Sequence, residues 1–340
     1  ADLLRALDLI RKREPAAAWK VMLSVLPKGH DFASPTAQPQ WRDFTTDKVE
    51  TVTWAVVGRG AAEISRRLVE DVGIDPERWA ALLDRLGDLT PDAGPALAAL
   101  DGAEAGMDDL AAREAMWGKL RRVLHHHRQF EDADWALPAE VLERLAEVYD
   151  RFAPVDRLAR TAWLFEPSAP LPDPPTAGWE AQERDVDEAR KVAAREVLAE
   201  GGLAAVLALA RLTETAGYLG KALYDGGLPE TDLDALIESA ARSDDTRVHN
   251  LAHGLVAAAS RDRDPAWGTT LIGRAESQAW GETALIVLLR ALPVGRATWD
   301  EAARLGEAID AVYWRRMPVF WMSEDEADIA FAVRKLIAVG

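Results

Sequence analysis

Cysteine is missing altogether from this 340-residue chain. Its absence removes thiol catalysis, disulfides and cysteine-ligated zinc together, and suits a reducing cytoplasm. Positive charge is also in short supply: 40 Lys and Arg stand against 57 Asp and Glu, a formal net charge of −17. That balance argues against general nucleic-acid binding, which needs a surplus of Lys and Arg on one face, and disfavours an anionic membrane surface. No apolar run approaches the length of a membrane span. The opening ADLLRALDLIRKREP is amphipathic and charged, unlike a signal peptide. It carries no initiator Met and starts inside a helical pattern, so a segment of a longer protein is expected. There is no G-x-x-x-x-G-K-[ST] loop and no G-x-S-x-G elbow, and no cofactor is expected.

What is present is helical periodicity. Leu3, Leu7 and Ile10 form one stripe, and Trp19, Leu23 and Leu26 the next. Trp79, Leu82, Leu83 and Leu86 follow, then Val141, Leu145, Val148 and Phe152. Start signals fall between the stripes. Asp75-Pro76 and Asp264-Pro265 place an N-cap before a first-turn proline, while Thr298-x-x-Glu301 and Ser323-x-x-Glu326 have capping-box spacing. Gly29, Gly102, Gly201 and Gly227 provide stop signals. Counting stripes and caps predicts an all-α chain of roughly 15–18 helices. The 49% hydrophobic and 29% charged residues are those of a soluble globular protein long enough to bury a substantial core. The expected architecture is an α-solenoid of stacked antiparallel helix pairs, of the HEAT or TPR kind.

Residues 51–57, TVTWAVV, run into Gly58-Arg59-Gly60, the opening of a dinucleotide-binding fingerprint. Glu63 stands where the third glycine belongs and would repel a pyrophosphate. Trp54, Val57, Ala61, Ile64 and Leu68 keep helical spacing through both glycines, so a helix is expected. The motif L-x-x-L-P-x-G occurs twice, as LSVLPKG at 23–29 and LRALPVG at 289–295, each ending an apolar helix. A proline-rich stretch, EPSAPLPDPPTAGW at 166–179, cannot continue a helix. It is a linker or an ordered connection between an N-terminal half, 1–165, and a C-terminal half, 179–340, with 166–178 between them. A second long connection spans 29–46.

Candidate sites compete with structural explanations. His125, His126 and His127 point about 100° apart on a helix and cannot converge on one ion; His127 shares the apolar face of Met116, Leu120 and Val123. His249 and His253, one turn apart, could grip a metal, but Asp245 lies about 12 Å from His253 along the axis and no third ligand is evident. Glu324-Asp325-Glu326 suits a first helical turn, where negative charge favours the dipole. Leu305, Ile309, Val312 and Arg316 lie in one helical row; Pro318 stops that helix, and Phe320 and Trp321 fill the gap to the next. Trp314 and Arg315 fall beside the row, and with Trp41 and Arg42 they pair the side chains most enriched at interface hot spots. These four are the expected partner-binding residues.

Two stretches, VMLSVLPKGHDFASPTAQPQWRDF at 21–44 and LLRALPVGRATWDEAARLGEAIDAVYWRRMPVFW at 288–321, resemble segments in the helical-repeat regions of very large bacterial proteins. Those proteins are similar to STAND-type NTPases of the antiviral-defence kind, in which a C-terminal helical array acts as sensor. The resemblance implies a cytoplasmic, non-catalytic scaffold or sensor module that binds a protein or another domain of its own chain. It implies an NTPase or effector outside this segment, and it carries over no functional residue. The rival expectation is an (α/α)-toroid enzyme acting on glycans, with the 13 tryptophans as sugar platforms and Asp300 and Glu301, beside Trp299, as paired acids. The sequence leaves the ligand and the oligomeric state open.

Overall fold

Apolar residues recurring every third or fourth position, broken by Asp, Pro and Gly, fold into helices, and no strand occurs among the described residues. The computed structural model describes residues 2–27, 53–89, 93–174, 178–317 and 325–339. Within these lie seventeen α-helices and two short 3-10 turns. The chain divides into two compact units, Ala1–Pro154 with Pro170–Thr176, and Val155–Ala169 with Ala177–Gly340. The first holds α1 (Asp2–Arg13), α2 (Pro15–Val25), α3 (Trp54–Val72), α4 (Pro76–Leu83), α5 (Gly94–Gly106), α6 (Leu110–Gln129) and α7 (Ala139–Phe152). The second begins with α8 (Arg157–Ala162), α9 (Gly178–Leu212), α10 (Gly217–Asp225), α11 (Glu230–Ala241) and α12 (Thr246–Asp262). It continues with α13 (Ala266–Ser277), α14 (Glu282–Ala291), α15 (Arg296–Arg304), α16 (Glu307–Arg315) and α17 (Glu326–Val339).

In the first unit Trp79, Leu82, Leu83 and Leu86 are buried together, as are Leu145, Val148 and Phe152. Asp75 accepts from the amides of Glu77 and Arg78 at 2.9 and 3.2 Å, and Pro76 opens α4 as its spacing predicts. The helix α3 passes through Gly58 and Gly60 without a break and buries Ala61, Ile64 and Leu68. Its Arg67 is buried, and grips Asp8 of α1 through two bonds of 2.8 and 3.0 Å. That contact, with Arg11, holds the Asp8 carboxyl far below the usual carboxylate range.

The proline-rich stretch is shared between the units and is held at both. In the second, buried Arg190 donates to the carbonyls of Leu164 and Glu166 at 2.8 and 2.7 Å, and the Glu166 carboxylate accepts the amide of Glu214 at 2.9 Å. In the first, His125 Nδ1 donates to Leu171 O at 2.8 Å and Arg128 to Pro172 O at 3.0 Å.

Several boundaries differ from the sequence reading. Gly102 stops nothing: α5 continues to Gly106. Thr298 is buried inside α15, its hydroxyl donating back to Pro293 O at 2.7 Å, so the predicted capping box does not form and Gly295 takes the N-cap. Ser323 lies outside the described residues, and the amides of Ala327 and Asp328 are taken by Asp325. Gly201 lies inside α9, where the neighbouring Gly202 kinks the helix at φ 61°. The repeated L-P endings agree in backbone: Leu26 and Leu292 are both buried and both extended, as a residue before proline prefers.

The second unit is organised by helix pairing. α9 packs on α10, α11 on α12, α13 on α14 and α15 on α16, while α10, α12, α14 and α16 lie side by side in that order. Asn250, in the first turns of α12, donates to Glu214 O just before α10 at 3.2 Å. Arg261 at the other end of α12 pairs with Asp225 at the end of α10 at 2.6 Å, so these two helices run in the same direction. The C-terminal ends of α14 and α16 also share a small cavity, bordered by Arg290 and Pro293 on one side and Tyr313 and Met317 on the other.

Candidate partner-binding groove

Among the described residues, α12, α14 and α16 lie side by side and each turns one face to a shared space. His249, Asn250 and His253 on α12, Ile286, Val287 and Arg290 on α14, Val312 on α16 and Arg316 at its C-cap all border one cavity of about 1130 Å³. Their spacing of three and four residues puts each set on a single helix face. His253 is also where this cavity meets two smaller ones of about 460 and 350 Å³. Trp280, buried at the start of α14, helps to close the groove at one end.

The groove holds two arginines that no carboxylate engages among the described residues. Elsewhere in the unit, Arg157, Arg261, Arg263, Arg274, Arg296 and Arg304 each meet a carboxylate. Arg290 and Arg316 line the groove, are exposed, and form no ion pair among the described residues. His253 keeps solvent access, yet its imidazole is held below its ordinary value, through loss of solvation first and the charge of Arg290 second. The lining acids Glu214, Asp244 and Glu282 stand before, or in the first turn of, α10, α12 and α14, at the opposite end from Arg290 and Arg316.

The residues singled out in the sequence fall in other places. Trp41 and Arg42 lie outside the described residues. Trp314 is fully buried, with ring centroids 5.3 Å from Trp299 and 6.1 Å from Phe331, and its indole N–H donates to Asp310 at 2.9 Å. It packs the core and offers no surface to a partner, contrary to the expectation from the sequence. Arg315 is exposed next to it, its Nε donating to Ala311 O at 3.2 Å. Leu305, Ile309, Val312 and Arg316 do not form one helical row. Gly306, at φ 110°, separates α15 from α16, and the buried face of α16 is Ile309, Tyr313 and Trp314. Val312 and Arg316 turn toward the groove.

His249 and His253 are not joined by a third ligand. His249 Nε2 donates to Ser243 O, Asp245 caps α12, and no group of three or more His, Asp or Glu among the described residues is placed to hold a metal. In the first unit, His127 Nδ1 accepts the Leu137 amide at 3.2 Å, and burial, with His126 beside it, pushes its pKa down to about 4. His126 stacks on Trp135 at 4.8 Å, so the three consecutive histidines have separate structural tasks. Trp299 is fully buried and cannot serve as a sugar platform, while Asp300 pairs with Arg296 at 3.0 Å and Glu301 with Arg304 at 2.8 Å. No described helix is long and apolar enough to cross a membrane. No family model, curated protein or solved structure matches the chain.

Proposed function

We propose that the chain is a non-catalytic helical-repeat module, an open solenoid in its second unit, that binds a protein segment along the groove of α12, α14 and α16. The observation that carries this reading is the row of side-by-side even helices, of which α12, α14 and α16 border one mixed-polarity cavity with two arginines that form no ion pair among the described residues. A groove built from half-buried Ile286, Val287 and Val312 beside charged residues has the apolar floor and polar rim of a peptide site. The resemblance of 21–44 and 288–321 to the sensor arrays of STAND-type NTPases is in keeping with a binding role inside a larger protein. Partner recognition by Arg315, Trp41 and Arg42 belongs to the same proposal, with Arg315 at the end of α16 beside the groove residue Arg316.

Photo-crosslinking amino acids test it. Placed at Ile286 and at Val312, in cells expressing the protein at its native level, they are expected to yield adducts that map to the same partner segment. Thr270 on α13, exposed and outside the groove lining, is expected to yield none of that adduct. Equal labelling from Thr270, or no common segment from the two groove positions, contradicts the reading.

A further inference from the structure

The groove sets two exposed arginines without an ion pair among the described residues, Arg290 on α14 and Arg316 just past the end of α16, next to His253 on α12, whose imidazole bonds the Arg290 backbone. Packed helices stand about 8–10 Å apart. A peptide in the polyproline II conformation rises about 3.1 Å per residue and turns once in three residues, so it covers one helix spacing per turn and brings every third side chain back to the same face. From this match of spacing and charge, and resting on the groove reading above, we propose that the groove recognises an acidic peptide segment in the polyproline II conformation with carboxylates at every third residue.

Three features support the assignment. Arg290 and Arg316 present guanidinium forks, which accept carboxylates in bidentate geometry, and neither is engaged by a carboxylate among the described residues. Arg261, Arg274 and Arg304 of the same unit, by contrast, are held by carboxylates. The acids that line the cavity, Glu214, Asp244 and Glu282, lie toward the N-terminal ends of the helices. They would repel the segment from that edge and leave the C-terminal edge as its track. Ile286, Val287 and Val312 supply apolar contacts for the intervening residues. Arg242 and Arg247, also on the lining, are already used: Arg242 pairs with Glu238, and Arg247 donates to Arg211 O.

The test uses the intact chain and fluorescent peptides of identical composition, one with Glu at every third position separated by Pro, the other with the same glutamates in one block. The spaced peptide is expected to bind at low salt at least about fivefold more tightly than the block. Reversing Arg290→Glu and Arg316→Glu together should weaken it by about tenfold or more, the range of one to two lost charge-assisted contacts. Reversing Arg184→Glu and Arg334→Glu, exposed arginines of the same unit away from the lining, should leave it unchanged within about twofold. Equal binding of the two peptides, or equal loss from the control pair, overturns the spacing claim in favour of diffuse charge. Tighter binding of an oligothymidylate than of the spaced peptide overturns it in favour of a general polyanion site. Failure of every peptide, with the Ile286 and Val312 crosslinks intact, overturns the acidic ligand and leaves the groove as a site for another kind of segment.

Discussion

Replacing Trp314 by alanine is expected to destabilise the second unit by about 3–5 kcal/mol. The side chain has no exposed surface, lies against Trp299 and Phe331, and donates its indole proton to Asp310, which also receives Lys335 Nζ at 2.6 Å. Truncation leaves a cavity the size of an indole and takes one donor from a carboxylate that ties α16 to α17. Arg315→Ala, one position along, removes an exposed side chain and should stay within about 0.5 kcal/mol. Urea unfolding of the two variants separates the roles: a stable W314A protein would return Trp314 to the surface as a contact residue.

Gly254→Ala should have the next largest effect. A Cβ built on Gly254 falls 2.0 Å from Gly217 O, and one on Gly220 falls 2.5 Å from Leu251 O, in both cases against backbone that has no rotamer to change. α10 and α12 approach each other through these glycines, and a methyl group would force the helices apart. The expected cost is about 1–3 kcal/mol, or more if the shift spreads to α14. Gly60→Ala on α3 is the matching control. Its Cβ meets nothing within 4 Å, so the same chemical change should stabilise by about 0.5–1 kcal/mol. Thermal melts that show the same sign for both variants would contradict the close approach of α10 and α12.

The same glycines show how much of the molecule was legible beforehand. Periodicity and Asp-Pro starts are local chemistry, and α4, capped by Asp75, sits where they place it. The helix through Gly58 and Gly60 was likewise readable, because the stripe through Ala61, Ile64 and Leu68 does not lose phase. Thr298 misled because a Thr three residues before a Glu is equally compatible with the inside of a first turn, and the hydroxyl found Pro293 O instead. Trp314 misled for a different reason. The row beside it crosses Gly306, where the helix direction is reset, and so lies one residue out of register with the buried face. Arg290 and Arg316 carried no signal at all, since isolated arginines are common. They become a site through the side-by-side packing of α12, α14 and α16, contacts between segments far apart in sequence.

That packing is the claim on which the groove depends, and the absence of cysteine makes it directly measurable. Pairs of cysteines introduced at exposed Glu214 and, in turn, Thr246, Glu282 and Glu307 place spin labels at or just before the starts of α10, α12, α14 and α16. An open row predicts that pulsed electron-resonance distances from Glu214 increase at every step, by about 8–10 Å for each helix crossed. A Glu214–Glu307 distance no longer than Glu214–Glu282 would mean that the helices close into a ring, and would contradict the open groove.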